Sequence, residues 1–205
     1  MLQGSIELNR IVFPPGIYGS MIDVVARQAL WNVGLDYGHG TGHGIGYYLS
    51  IHEAPPSTNY QSRRDYDEPF TVGMIQSDEP GYYEPNKFGI RLETDIEVVE
   101  AKTKYNYANR TYLTFDALTY VPFESNLIDV CELTDAQVDW LNEYNRRTRE
   151  KVGPLLKGDH YTYLMDKTQP FSYSYQLKSC NKKWPENSAT TINNNFRFVL
   201  AAFLL

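Results

Sequence analysis

Apolar residues at Ile22, Val25, Ala26, Ala29, Leu30 and Val33 recur every third or fourth position, the period of a helix with one buried face. Ser20, with Asp23 at the N3 position, reads as a capping-box variant that opens this helix, and Gly34 supplies its stop. Downstream the period shortens to two. Tyr47–Ile51 reads as a strand that His52 to Pro56 ends, and 57–68 as an exposed polar loop. Phe70, Val72 and Met74 alternate and run through Ile75 towards Asp78, predicting a strand with a bulge or bend. Pro80 then holds Glu79 in an extended backbone. After a turn at Glu84–Lys87, a second strand is expected over roughly Phe88–Glu100, with Ile90 and Leu92 on one face and Arg91 and Glu93 on the other. A further strand follows at Tyr112–Phe115. Thr134 and Gln137 form a capping box for a helix reaching about Val152, with Val138, Leu141, Thr148 and Val152 inward, and Gly153-Pro154 stops it. A short helix is expected near Tyr161–Lys167. The opening stretch Met1–Arg10 reads as the interior of an element. The pattern predicts an α+β fold, with helices outside a curved antiparallel sheet.

Composition narrows the function classes. At 205 residues the chain can bury a sizeable core, and 42% hydrophobic with 21% charged residues is ordinary for a soluble globular protein. The formal charge of −6 and the lack of a basic run argue against a nucleic-acid partner. Cys131 and Cys180 have no zinc-ribbon spacing; they could pair in an oxidising compartment. The first ten residues lack the charged and apolar regions of a signal peptide, and no apolar run reaches the roughly eighteen residues of a membrane-spanning helix.

The chemistry concentrates in Asp36-Tyr-Gly-His39-Gly-Thr-Gly-His43-Gly-Ile-Gly46, where five glycines surround two histidines. A His-x-x-x-His pair suits a zinc-binding helix, but glycine costs a helix about 1 kcal/mol each relative to alanine. An extended or looping segment passing close to a ligand, a metal or another strand fits better. His52 at a strand end, Glu79 before Pro80-Gly81 and Glu93 in an otherwise apolar strand add an imidazole and two carboxylates. A buried bare carboxylate costs several kcal/mol unless it is paired or binds a metal. The simpler readings are a solvated turn for Glu79, an ion pair with Arg91 for Glu93 and a backbone-bonded histidine at 52. Taken jointly, these residues suit a divalent ion such as Mn²⁺, Zn²⁺, Co²⁺ or Fe²⁺.

In combination, His39-Gly-Thr-Gly-His43-Gly-Ile-Gly46, His52-Glu53, Asp78-Glu79-Pro-Gly-Tyr-Tyr83 and Phe88-Gly-Ile-Arg-Leu-Glu93 resemble the X-prolyl aminopeptidases. These are metallopeptidases of the methionine aminopeptidase-like, "pita-bread" fold. Lys102–Tyr105, Leu113–Phe115, Leu127–Val130 and Leu133-Thr134 extend the resemblance into the family's C-terminal extension, so that it spans roughly Leu8–Leu156. The division it implies is 1–111 catalytic, 112–157 extension and 158–205 tail. The resemblance implies two divalent ions, Mn²⁺ preferred and Zn²⁺ the alternative, with His43, Glu79 and Glu93 as metal ligands and Glu93 bridging. It also implies that His39 and His52 bind substrate and handle protons, that Arg91 supports the site, that the substrates are peptides with proline at the second position, and that the complete protein is a homodimer.

The family's two upstream aspartate ligands have no counterpart in this sequence, so the chain alone is expected to bind metal weakly and to be nearly inactive. The alternative expectation is a non-catalytic binding or dimerisation partner. The small residues at 187–189, the polar spacer at 190–195 and the apolar end at 196–205 follow the grammar of a glycosylphosphatidylinositol anchor signal, although Arg197 interrupts it. Local stretches are similar to the membrane-bound form, which implies the cell surface, with the cytoplasm as alternative. Asn109-Arg-Thr111 is a candidate glycosylation site in an extracellular setting.

Overall fold

The computed structural model describes residues 1–48, 50–62 and 67–172, and its packed body spans Met1–Phe171. The anchor signal at 187–205 and Cys180 lie outside the described residues.

Two helices open the chain, α1 (Leu2–Arg10) and α2 (Gly19–Trp31). In α1, Ile6 and Leu8 are fully buried, which accounts for the element-interior character of the opening residues. In α2, Ile22, Ala26 and Leu30 are buried as the period predicts. Its N-cap differs from the expectation: Tyr18 occupies that position without a side-chain cap. Asp23 instead turns inward to an arginine one helical turn on, so it is not free to cap. The helix ends just ahead of Gly34, whose φ of +76° closes the turn.

The central sheet is antiparallel, in the order β3 (Ile75–Asp78), β6 (Thr94–Ala101) and β7 (Tyr112–Ala117). Ser77 pairs with Asp95, and Val98 with Phe115. Alternation places Thr94, Ile96 and Val98 of β6 and Leu113, Phe115 and Ala117 of β7 on the buried face. That face meets Leu8 of α1 and Ile22 and Ala26 of α2 in one apolar cluster. Within it the rings of Phe13, Phe70 and Phe115 lie 5.3–5.5 Å apart, centroid to centroid.

Two small ribbons flank the sheet, β1 (Gly42–His43) with β2 (Ser57–Thr58), and β4 (Gly81–Glu84) with β5 (Phe88–Arg91). Four expectations are corrected here. The stretch predicted as one strand over Phe88–Glu100 is two, because β5 pairs with β4 whereas β6 pairs with β3, and Leu92 N–H turns aside to Pro80 O at 3.1 Å. Glu93 therefore sits at a break and is exposed rather than in mid-strand. Tyr47, Tyr48 and Ile51 are not in a strand; they are exposed on a loop that Gly46 N–H to Ser50 O (2.7 Å) and Glu53 N–H to Gly44 O (2.9 Å) fold back on itself. Phe70 to Met74 precedes the strand as a turn, with Gly73 at φ +89°. The loop at 57–68 is not uniformly exposed either: Thr58 is buried and donates to Gln76 Oε1 at 2.7 Å.

The helix α3 (Asp135–Val152) carries the predicted capping box, Thr134 accepting from Gln137 N–H and Gln137 returning the bond. Val138, Leu141 and Thr148 are fully buried, and Val152 is half-buried. Tyr144 reaches back to the end of β7, its hydroxyl lying 2.8 Å from Thr119 O and 2.9 Å from Val121 O, and burial pushes its pKa up to about 12. A short 3₁₀ turn at Gly153–Leu155 leads to α4 (Gly158–Lys167), at the predicted place.

Candidate metal centre

The sheet and its two ribbons meet at the histidine–glycine stretch. Gly42 has no room for a side chain: a Cβ there would lie 2.0 Å from Ser77 O. This close approach sets β1 against β3 and brings His43 over the end of β3. His43 N–H donates to Ser77 Oγ at 3.1 Å, and Ser77 Oγ donates to Glu79 Oε1 at 3.0 Å. Thr41 O receives Glu79 N–H at 2.7 Å. Glu79 is only 7% exposed, so it is not a solvated turn residue.

His43, Glu79 and Glu93 each offer a ligand atom, and the three atoms lie within 4.8 Å of one another. The ring of His43 is oriented from behind. Its Nδ1 lies 2.8 Å from Gly44 O, so Nδ1 carries the proton, which leaves Nε2 facing Glu79 Oε1 at 3.1 Å. A histidine whose Nδ1–H is given to a backbone carbonyl is oriented as metal-binding histidines are. Nε2 and the two carboxylates of Glu79 and Glu93 thus converge on one place. The donor set of one imidazole and two carboxylates fits a single divalent ion of the Mn²⁺ or Zn²⁺ class.

Arg91 does not pair with Glu93. Its Nη1 lies 3.2 Å from Glu79 Oε2, and its Nε donates to Tyr83 OH at 2.9 Å. Tyr83 OH lies 2.8 Å from His39 Nε2, and His39 Nδ1 lies 2.7 Å from Gly40 O. Tyr83 OH thus lies between the Arg91 guanidinium and His39 Nε2. A chain of side chains thus runs Glu79–Arg91–Tyr83–His39. His52 is exposed, and its ring stands edge-on to His43 with centroids 4.3 Å apart. The structure therefore brings His39, His43, His52, Glu79, Arg91 and Glu93 to one place. Asn109 lies elsewhere, exposed in a short turn with φ +54°.

Residues that pattern reading passed over complete the surroundings. Tyr83 is half of a tyrosine pair whose sequence carried no sign of its partners. Ser77 joins two of the candidate ligands, His43 and Glu79. Asp78 is fully buried; burial pushes its pKa well up, and Ser5 Oγ at 2.7 Å and Asn9 Nδ2 at 2.6 Å donate to it. Behind His39, Arg27 of α2 is buried between Tyr37 and Tyr60.

The chain is similar to known metallopeptidases. A model of metallopeptidase family M24 matches residues 1–100, and one of the C-terminal region of that family matches residues 111–171. Aminopeptidase P2 of Arabidopsis thaliana is 45% identical over 84% of this chain and 24% of its own length. Xaa-Pro aminopeptidase 2 of Rattus norvegicus is 46% identical over 85% of this chain and 25% of its own. The crystal structure of X-prolyl aminopeptidase from Caenorhabditis elegans, described as a cytosolic enzyme with a di-nuclear active site, superposes with a TM-score of 0.77 at 38% identity, covering 83% of this chain and 28% of that one. This chain thus spans about a quarter of the length of these relatives. The helices and antiparallel sheet form part of a pita-bread fold. With two models of one family covering most of its length, the chain belongs to metallopeptidase family M24.

Proposed function

We propose that this chain carries the histidine–glutamate side of a divalent-metal centre that removes an N-terminal residue linked to proline, with His43, Glu79 and Glu93 as metal ligands. The observation that carries this reading is the convergence of His43 Nε2 and Glu79 Oε1, 3.1 Å apart, with Glu93 as a second carboxylate beside them, in a chain of the M24 family. A bound Mn²⁺ or Zn²⁺ supplies Lewis acidity at the peptide carbonyl before proline. The protein side of the reaction falls to residues around the ligands. Arg91 fixes the second oxygen of Glu79, so that Oε1 keeps its orientation towards His43. Tyr83 holds the His39 ring through its Nε2. His39, half-buried, and His52, exposed at the rim, are placed to bind the peptide and to give or take a proton. The substrate class is peptides with proline at the second position, in keeping with the names of the relatives.

Three donors suit one ion better than two, because a carboxylate-bridged pair of ions about 3.5–4 Å apart needs more ligands, and the cluster among the described residues holds these three. The chain by itself is therefore expected to bind metal weakly and to turn over little or no substrate, which leaves room for a second role as a pairing partner within a homodimer. For location we propose cell-surface attachment through 187–205, with Asn109 glycosylated, and the cytoplasm as alternative; the exposure of Asn109 supports the glycan. Among the described residues no helix is long and apolar enough to cross a membrane.

The test is an assay of the purified chain with Mn²⁺ and an Xaa-Pro-Pro peptide, beside Mn²⁺ binding by the parent and by Glu79→Gln. Little or no turnover and weak binding that Glu79→Gln abolishes are expected. Turnover comparable to a full-length relative would overturn the inactivity, and equal Mn²⁺ binding by Glu79→Gln would remove the ligand assignment.

A further inference from the structure

Arg27 is 1% exposed, and its fork reaches four oxygens. Its Nε donates to Asp23 Oδ2 at 2.8 Å, one Nη to Asp36 Oδ1 and Tyr37 O, both at 2.8 Å, and the other to His39 O at 2.6 Å. The guanidinium lies 3.9 Å from the Tyr37 ring centroid and 4.9 Å from that of Tyr60, a planar, stacked placement that lysine cannot reproduce. Asp23 extends the assembly. It accepts from Tyr60 N–H at 2.8 Å and from the Thr41 hydroxyl, and Thr41 O in turn receives Glu79 N–H at 2.7 Å. One buried ion pair on α2 therefore grips the backbone on one side of His39 directly, and reaches the backbone of Glu79 through a single residue, Thr41.

We infer that Arg27, held by Asp23, is a positioning residue for the metal centre: it fixes the Asp36–Thr41 backbone so that His39 meets Tyr83 and Glu79 meets His43, without itself touching metal or peptide. A purely structural ion pair would stabilise α2 and its loop, yet its loss would leave the remaining folded molecules with an unchanged site. A positioning pair changes the site in molecules that remain folded. The metal half of this inference rests on the proposed function; the His39 half does not.

The experiment compares the parent with Arg27→Lys, Arg27→Met and the double variant Asp23→Asn/Arg27→Met, which leaves no uncompensated buried charge if the single variants fail to fold. Leu141→Ala in α3 serves as a control destabilised at a distance. Two readouts are taken under conditions where each variant is folded: the ¹⁵N shifts of the His39 ring without metal, and Mn²⁺ affinity by titration. The parent and Leu141→Ala should show His39 as a single Nδ1–H tautomer, and the Arg27 variants an average of both tautomers. Mn²⁺ affinity should fall by about tenfold in the Arg27 variants, at the low end of effects seen when partners behind metal ligands are removed, and stay within about twofold in Leu141→Ala. An unchanged His39 tautomer in the folded Arg27 variants would overturn the inference, whatever the metal does. If the parent shows no Mn²⁺ binding while the His39 signature still depends on Arg27, the metal reading fails and the positioning role stands.

Discussion

At the scale of residues, the site depends on tautomers and on one buried cation. His39 and His43 each give Nδ1–H to the carbonyl of the next residue, so two backbone bonds decide which nitrogen faces the site. Asp36 shows the same economy in the arginine assembly. Burial alone would raise its pKa, but hydrogen bonds from Trp31, from Tyr37 N–H and from Arg27 outweigh it and hold the carboxyl below its ordinary value. A carboxylate depressed in the folded state contributes stability that is present above its unfolded pKa near 3.8 and is lost as pH falls through the folded value. Asp36→Asn is therefore expected to be less stable than the parent at pH 7, with the gap closing below about pH 4. Denaturant titrations at pH 7 and pH 3 check this, and a gap of the same size at both would contradict it. Asp36 is exposed on one side, so solvent keeps the effect small. None of this was legible from the residues themselves. An Asp and an Arg four apart on a helix, such as Asp23 and Arg27, are the pattern of a surface pair, and only the tertiary placement of Tyr37, Tyr60 and the His39 carbonyl makes them a buried clamp.

At the scale of elements, local signals and long-range pairing part company. The helix α3 was legible in full, because its capping box, apolar period and Gly-Pro stop all lie within the segment they define. Thr134→Ala should cost about 1 kcal/mol through loss of the cap, and Leu141→Ala, at a fully buried position, about 2–5 kcal/mol. Urea unfolding monitored by circular dichroism measures both, and a cost for Leu141→Ala no larger than that for the cap would show that α3 does not pack as described. The break between β5 and β6 was not legible, because continuous alternation from Phe88 onward says nothing of which partner each half will find. Pairing with β4 on one side and β3 on the other decides it. That break has a consequence for the site: Glu93 stands where the β4–β5 ribbon joins the central sheet, exposed and close to the buried Glu79. The loop after Gly46 departs from its strand-like pattern for a similar reason. Tyr47, Tyr48 and Ile51 have the composition of a strand, but no strand is offered to them among the described residues.

At the scale of the whole molecule, α1, α2 and the three-stranded sheet form a platform, and the site is assembled where two short ribbons meet its edge. Gly42 permits that meeting, since a Cβ there would lie 2.0 Å from Ser77 O of β3, and Gly44 lets the following loop fold back, with a Cβ there 2.0 Å from Glu53 O. The six residues that sequence motifs had marked converge within this one region, whereas the apolar and polar pattern alone gave no means of bringing positions 39, 52, 79 and 93 together; the family resemblance supplied that. What this molecule holds is a group of three candidate metal ligands, two of which, His43 and Glu79, are oriented by their neighbours. The measurement that tests this most directly is a Mn²⁺ titration of the purified chain followed by electron paramagnetic resonance, in parallel with Glu79→Gln. The account predicts weak binding of one isolated, uncoupled ion per chain, absent from the variant. Two exchange-coupled ions bound tightly per chain, or binding that is indifferent to Glu79→Gln, would contradict it.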